Sequence, residues 1–200
     1  METGKPYAKV LKILLKDIAI KPTITSIAQE MNISRVGLWK VLKAMRSEKL
    51  IALSPMGTGK TSAYIVALDQ NNPLTEKMLS LALTEEAMKN QRWLSSFSEL
   101  KDKVGFLIIY GSILHSPKEA NDIDILGVVS DKRYFKAIDE TIAKIQKSQI
   151  KKVHAINFTA AEFRMEIEKP NKTFIDAVKK GIVLFGQENF IKFMINISKK

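Results

Sequence analysis

The stretch VGFLIIYGSILHSPKEANDIDILGVV, residues 104–129, decides how the chain is read. Its first seven residues end in an unbroken apolar run and predict a buried strand over 104–110. Gly111-Ser112 follows at once, nine residues intervene, and Asp122-Ile123-Asp124 then leads into Ile125-Leu126-Gly127-Val128-Val129, a second apolar strand. Residues i and i+2 of a strand point to the same face. Asp122 and Asp124 are therefore expected to project together, with Ile123 and Ile125 turned to a buried face. Two neighbouring carboxylates repel each other unless a hard cation lies between them, and Mg²⁺ with an oxygen shell suits such a pair. Gly111 allows close backbone approach, and the Ser112 hydroxyl can donate to a phosphate.

This pattern resembles the signature of the polymerase-beta-type nucleotidyltransferases, especially their minimal branch, over about residues 95–190. The resemblance implies a mixed β-sheet flanked by helices, with Asp122 and Asp124 as catalytic and metal-holding residues. It also implies Gly111 and Ser112 as nucleotide-binding residues, and Mg²⁺ with a nucleoside triphosphate as cofactor and ligand. A metal there would neutralise charge during phosphoryl transfer. Members of the family usually carry a third carboxylate on a later strand. The run VHAINF, residues 153–158, is expected to be that strand, and its third-acid position is expected at Ala155 or Asn157, neither of which is an acid. Glu162 lies just beyond, at an expected helix start. His154 reads as a structural strand residue, and His115 and Lys118 as loop residues within reach of phosphate. Residues 176–186 read as a closing helix, a glycine cap and a strand.

The N-terminal part has a different character. Apolar residues at Tyr7, Val10, Leu11, Leu14 and Leu15 have helical spacing, with Lys9, Lys12 and Lys16 expected on the outer face. A short helix over 26–31 follows, then the turn Asn32-Ile33-Ser34, with Ser34 as N-cap of a helix over 35–49. Leu38, Leu42 and Met45 form that helix's core stripe. Two helices joined by such a turn form a helix-turn-helix arrangement, in which Ser34, Arg35, Trp39, Lys40, Lys43 and Arg46 would be expected to contact DNA. Two β-prone runs, 50–53 and 63–68, then flank the Gly-rich stretch SPMGTGKTS, residues 54–62. That stretch imitates a phosphate-binding P-loop, but Ser54 stands where its first glycine belongs, and the residues after it favour a strand rather than a helix. It is read as a hairpin tip. Residues 5–68 resemble the winged helix-turn-helix family, which implies double-stranded DNA as partner, Lys60 as a further DNA contact at the wing tip, and pairing of two copies on two half-sites.

The expected fold class is α+β, with a winged helix-turn-helix domain over 1–68, a linker and connector helix over 69–94 and a nucleotidyltransferase-like domain over 95–200. In the connector, Leu74, Met78, Leu81 and Met88 are expected to pack, followed by Trp93, Leu94, Phe97 and Leu100 in a helical stretch over 93–103. Net charge is +11, and residues 1–70 hold 11 Lys/Arg against 5 Asp/Glu, so the basic excess is densest there. Such a balance suits a polyanionic partner. The absence of cysteine excludes disulfides and thiolate metal sites. No apolar run is long enough to span a bilayer, and a cytoplasmic location is expected. Three functions stay open: a DNA-binding regulator that senses a metal-bound nucleotide, an active nucleotidyltransferase acting on a hydroxyl, or a regulator whose second domain only dimerises.

Overall fold

A computed structural model describes residues 4–17, 22–57 and 63–198. The chain is α+β and divides into two units, one running to Ala82 and joined by the segment from Met194, the other Leu83–Phe193. The expected DNA contact Lys60 lies outside the described residues.

In the first unit, α1 (Gly4–Lys16), α2 (Ile24–Met31) and α3 (Arg35–Ser47) precede an antiparallel hairpin of β1 (Ile51–Pro55) and β2 (Tyr64–Leu68). The helix ends are written in side chains. Thr23 Oγ1 accepts from Ser26 N at 3.1 Å while Ser26 Oγ accepts from Thr23 N at 2.9 Å, a capping box for α2. Asn32 ends α2 in the left-handed conformation, φ 55°, which asparagine tolerates. Ser34 Oγ then accepts from Gly37 N at 3.0 Å and starts α3. Leu38, Leu42 and Met45 are fully buried, as the stripe predicts. The hairpin is registered from Ile51↔Leu68 to Pro55↔Tyr64, and β2 is tied on its other side to Pro22 and Thr23. A strand, not a helix, therefore follows the Gly-rich stretch.

Three expectations need correction. Lys16 is buried, not on the outer face, because Ile13 joins the apolar positions of α1 and widens the inward stripe around it. In α4 (Pro73–Met88), Leu74, Leu81 and Met88 are exposed. The buried positions are Thr75, Leu79, Ala82, Leu83 and Ala87. The inner face mixes Ala82 and Ala87 with Leu79 and Leu83 while larger side chains point outward, so side-chain size misled the phase assignment. The expected helix over 93–103 is also shorter: α5 spans Gln91–Ser96 and a single 3₁₀ turn covers Ser98–Leu100.

The second unit is built on a mixed four-stranded sheet of order β5-β4-β3-β6, from β3 (Phe106–Tyr110), β4 (Asp122–Val129), β5 (Lys152–Thr159) and β6 (Ile182–Phe185). β3 is antiparallel to both β4 and β6, whereas β4 and β5 run parallel. α6 (Phe135–Gln146) makes the crossover that a parallel pair requires. One sheet face carries Leu107, Ile109, Ile123, Ile125, Val129 and Val153, which pack with Trp93, Phe97, Ile138 and Ile145. Each such fully buried aliphatic side chain contributes about 1.5–3 kcal/mol.

The other face is apolar only over part of its length. There Phe106 and Phe158 pack on Phe163 of α7 (Ala160–Glu168), with Phe174 of α8 (Lys172–Lys180) and Phe190 and Phe193 of α9 (Gln187–Ser198) closing the cluster. Gly181 ends α8 in an extended conformation rather than a left-handed cap; a β-carbon there would stand 2.5 Å from Ile108 Cγ2, so the residue lets the helix end approach the sheet. No helix among the described residues is long and apolar enough to cross a membrane.

Candidate metal centre and basic helix face

The uncovered end of that second face holds the polar cluster. β4 begins with Asp122 and Asp124, which alternation places beside each other. The parallel register sets Asp122 opposite Lys152 and Asp124 opposite His154, while the antiparallel register sets Tyr110 opposite Asp124. His154 Nδ1 lies 3.2 Å from Asp122 Oδ2 and 3.7 Å from Asp124 Oδ1. The three side chains each offer one ligand atom, and these atoms all lie within 4.8 Å of one another. They stay within reach of solvent, the His154 side chain at 45% and those of Asp122 and Asp124 at 32% and 24%. Burial, and then the charge of Asp122, push the Asp124 carboxyl above the ordinary aspartate value, against an opposing pull from His154. Burial, followed by the charges of Asp124 and Asp122, likewise raises the Tyr110 hydroxyl. Both shifts have the same two causes, partial burial and the closeness of the two carboxylates.

Gly111 fixes how close the backbone comes. Its φ is 85° and ψ −166°, a combination open essentially to glycine, and a β-carbon there would stand 2.5 Å from Asp124 Oδ2. Ser112 opens a 3₁₀ turn and is exposed beside it. The following loop is pinned by buried Ile113 and Ala120 and by Lys151, whose Nζ donates to the carbonyls of Ala120 and Lys118. His115 and Lys118 are exposed on this loop.

The expected third-acid positions face the wrong way. Ala155 pairs with Ile125 and Asn157 with Gly127, so both lie on the opposite sheet face from the aspartates. Ala155 packs with the Ile123 and Ile125 core, and Asn157 Nδ2 donates to Asp139 Oδ1 on α6 at 3.1 Å. The residue of β5 that turns toward the pair is His154, which a purely structural reading undervalues. Its signal is the alternation of VHAINF itself: once Val153 is placed inward, His154 must point to the aspartate face. Glu162 does not join the cluster either. It forms the capping box of α7 with Thr159 and pairs with Lys132 at 2.6 Å. Thr159 is paired with Val129, seven residues along β4 from Asp122, or roughly 23 Å of extended strand.

In the first unit, Arg35, Lys40, Lys43 and Arg46 are exposed along α3, and Ser34 is spent as its cap. Trp39 is half-buried, its ring 5.4 Å from that of Tyr64 on β2, and Lys43 Nζ lies 5.5 Å from the same indole. Trp39 therefore braces the helix against the hairpin. A depression at the α2–α3 turn is lined by Thr25, Gln29, Ile33, Ser34 and Arg35, among others. The sequence matches no known protein family's profile and no curated protein.

Proposed function

We propose that this chain is a DNA-binding regulator whose second unit holds a nucleoside triphosphate together with a divalent cation. The observation that carries the reading is the gathering of Asp122, Asp124 and His154 on the open end of one sheet face, directly beside the glycine-only backbone at Gly111. The carboxylates supply the negative ligands a cation needs. Gly111 and exposed Ser112 leave backbone and hydroxyl free for the phosphates that such a cation would carry. A minimal nucleotidyltransferase fold accounts for the spacing of Gly111-Ser112 and Asp122-Ile123-Asp124, and the mixed sheet with α6 as crossover is compatible with it.

The DNA half of the proposal rests on α2, the Asn32 turn and α3, followed at once by the β1–β2 hairpin, with four exposed basic residues on α3. A winged helix-turn-helix would present that face to a duplex and its hairpin as the wing, on a homodimer bound at two half-sites.

Calorimetry of the full chain with ATP and MgCl₂ tests the nucleotide half. Heat that disappears in Asp122→Ala/Asp124→Ala supports it, and no heat with any of the four triphosphates overturns it. Nucleotidyl transfer to a hydroxyl is a second reading, favoured by His154, because imidazole is the side chain most often used as a general base. Label moving from the α-phosphate to an acceptor in the wild type, and lost in the double variant, would establish it.

A further inference from the structure

The ligand set around Asp122 carries more information than the aspartate pair alone. Mg²⁺ takes oxygen ligands in a near-ideal octahedron, whereas imidazole nitrogen suits the transition ions. Here the third donor is a nitrogen. His154 Nδ1 faces the two carboxylates at 3.2 and 3.7 Å; ligands about 2.1 Å from a shared ion stand about 3.0 Å apart in an octahedron and about 3.4 Å apart in a tetrahedron, so the Asp122 contact is already at ligand spacing and the Asp124 contact is slightly wider. The placement is built into the sheet rather than left to a flexible loop: Asp124 and His154 are directly paired across the parallel ladder. The neighbouring residues of β5 fix the phase, since Val153 is buried and Ala155 packs in the core of the opposite face.

Building on the proposed metal–nucleotide site, we infer that it is selective for a borderline transition ion of the cobalt–nickel–zinc class over Mg²⁺, and that His154 Nδ1 is the ligand that sets this selectivity. Asp122 and Asp124 supply charge common to both kinds of ion. Nδ1 adds a donor that Mg²⁺ uses poorly. Water and substrate phosphate oxygens fill the remaining positions.

The test is competitive binding to the full-length protein in the presence of ATP, with CoCl₂ followed by its visible absorption and MgCl₂ as competitor. His154→Ala and His154→Asp are compared with the wild type. His154 is partly exposed, so both variants are expected to keep the wild-type far-ultraviolet circular dichroism. In His154→Ala, Co²⁺ affinity is expected to fall more than tenfold and Mg²⁺ affinity less than threefold. His154→Asp, with three oxygen donors, should shift the Co²⁺/Mg²⁺ ratio at least tenfold toward Mg²⁺ and change the cobalt spectrum. Equal losses for the two ions, an unchanged ratio, or tighter Mg²⁺ binding and unchanged Co²⁺ binding in His154→Ala would overturn the inference while leaving the nucleotide site standing. Absence of both ion and nucleotide binding in the wild type, or binding indifferent to Asp122→Asn/Asp124→Asn, would overturn the site itself.

Discussion

Gly111 and Asp124 are in such close approach that a β-carbon on Gly111 would stand 2.5 Å from Asp124 Oδ2. The obstacle is doubled by backbone conformation, because φ at Gly111 is 85°. Gly111→Ala is therefore expected to cost about 1–3 kcal/mol in stability, through backbone strain and displacement of the carboxylate. If the aspartates hold a metal-bound nucleotide, affinity should fall at least tenfold in the same variant. Urea unfolding and calorimetry measure the two effects, and a variant with wild-type stability and binding would show that the approach is not tight.

The aspartate pair, Gly111 and their strands are legible in sequence because they lie in one contiguous segment whose alternation reports which side chains share a face. His154 is harder to place. Its partners lie before α6, and only the register of a parallel pair across that crossover brings them together. Looking for the third acid at Ala155 or Asn157 is a one-residue phase error, which in a strand moves a side chain to the opposite face. The same kind of limit applies to α1 and α4. Lys16 is buried because its neighbours Ile13, Leu14 and Leu15 turn that part of the helix inward, and the large residues Leu81 and Met88 are exposed while Ala82 and Ala87 pack. Hydrophobicity names a helix's residues, but the elements packed against it choose which face they take.

On α3, charge and packing can be separated by salt. Arg35 and Lys43 are exposed, and each phosphate contact contributes about 0.9 to the slope of log affinity against log salt. If both meet DNA phosphates, Arg35→Gln/Lys43→Gln should weaken duplex binding and reduce the slope by about 2. Trp39→Ala should instead lower affinity through loss of the 5.4 Å contact with Tyr64, leaving most of the slope intact. Electrophoretic or anisotropy titrations across a salt series distinguish them; a double variant that binds like wild type at every salt concentration would remove α3 from the interface.

Phe163 is fully buried and its ring lies 5.2–6.1 Å from those of Phe106, Phe158, Phe174 and Phe193. Phe163→Ala should cost about 3–5 kcal/mol, since the four rings around it cannot all collapse into the space left. Phe163→Leu should cost distinctly less. The midpoint of urea unfolding reads both, and a loss below about 1 kcal/mol for the alanine variant would mean that the cluster is loosely packed.

Glu162 makes the acid side of the stability profile predictable. Its hydrogen bond from Lys132, followed by the capping hydrogen bonds from Thr159, lowers its pKa from 4.5 to about 2. A folded-state value below the unfolded one means that the unfolded chain binds more protons in this window. The stabilisation is then fully present above pH 4.5 and is lost as pH falls toward 2. Glu162→Gln keeps an oxygen that can accept from Thr159 but removes the charge. The wild type should exceed it in stability near neutral pH, and the gap should close between pH 4.5 and about 2. Lys132 is 67% exposed, so added salt should shrink the neutral-pH gap as well. Urea unfolding of both proteins from pH 2 to 7, at low and high ionic strength, checks the argument, and a gap that stays constant over the whole range would show that the carboxylate charge is not its source.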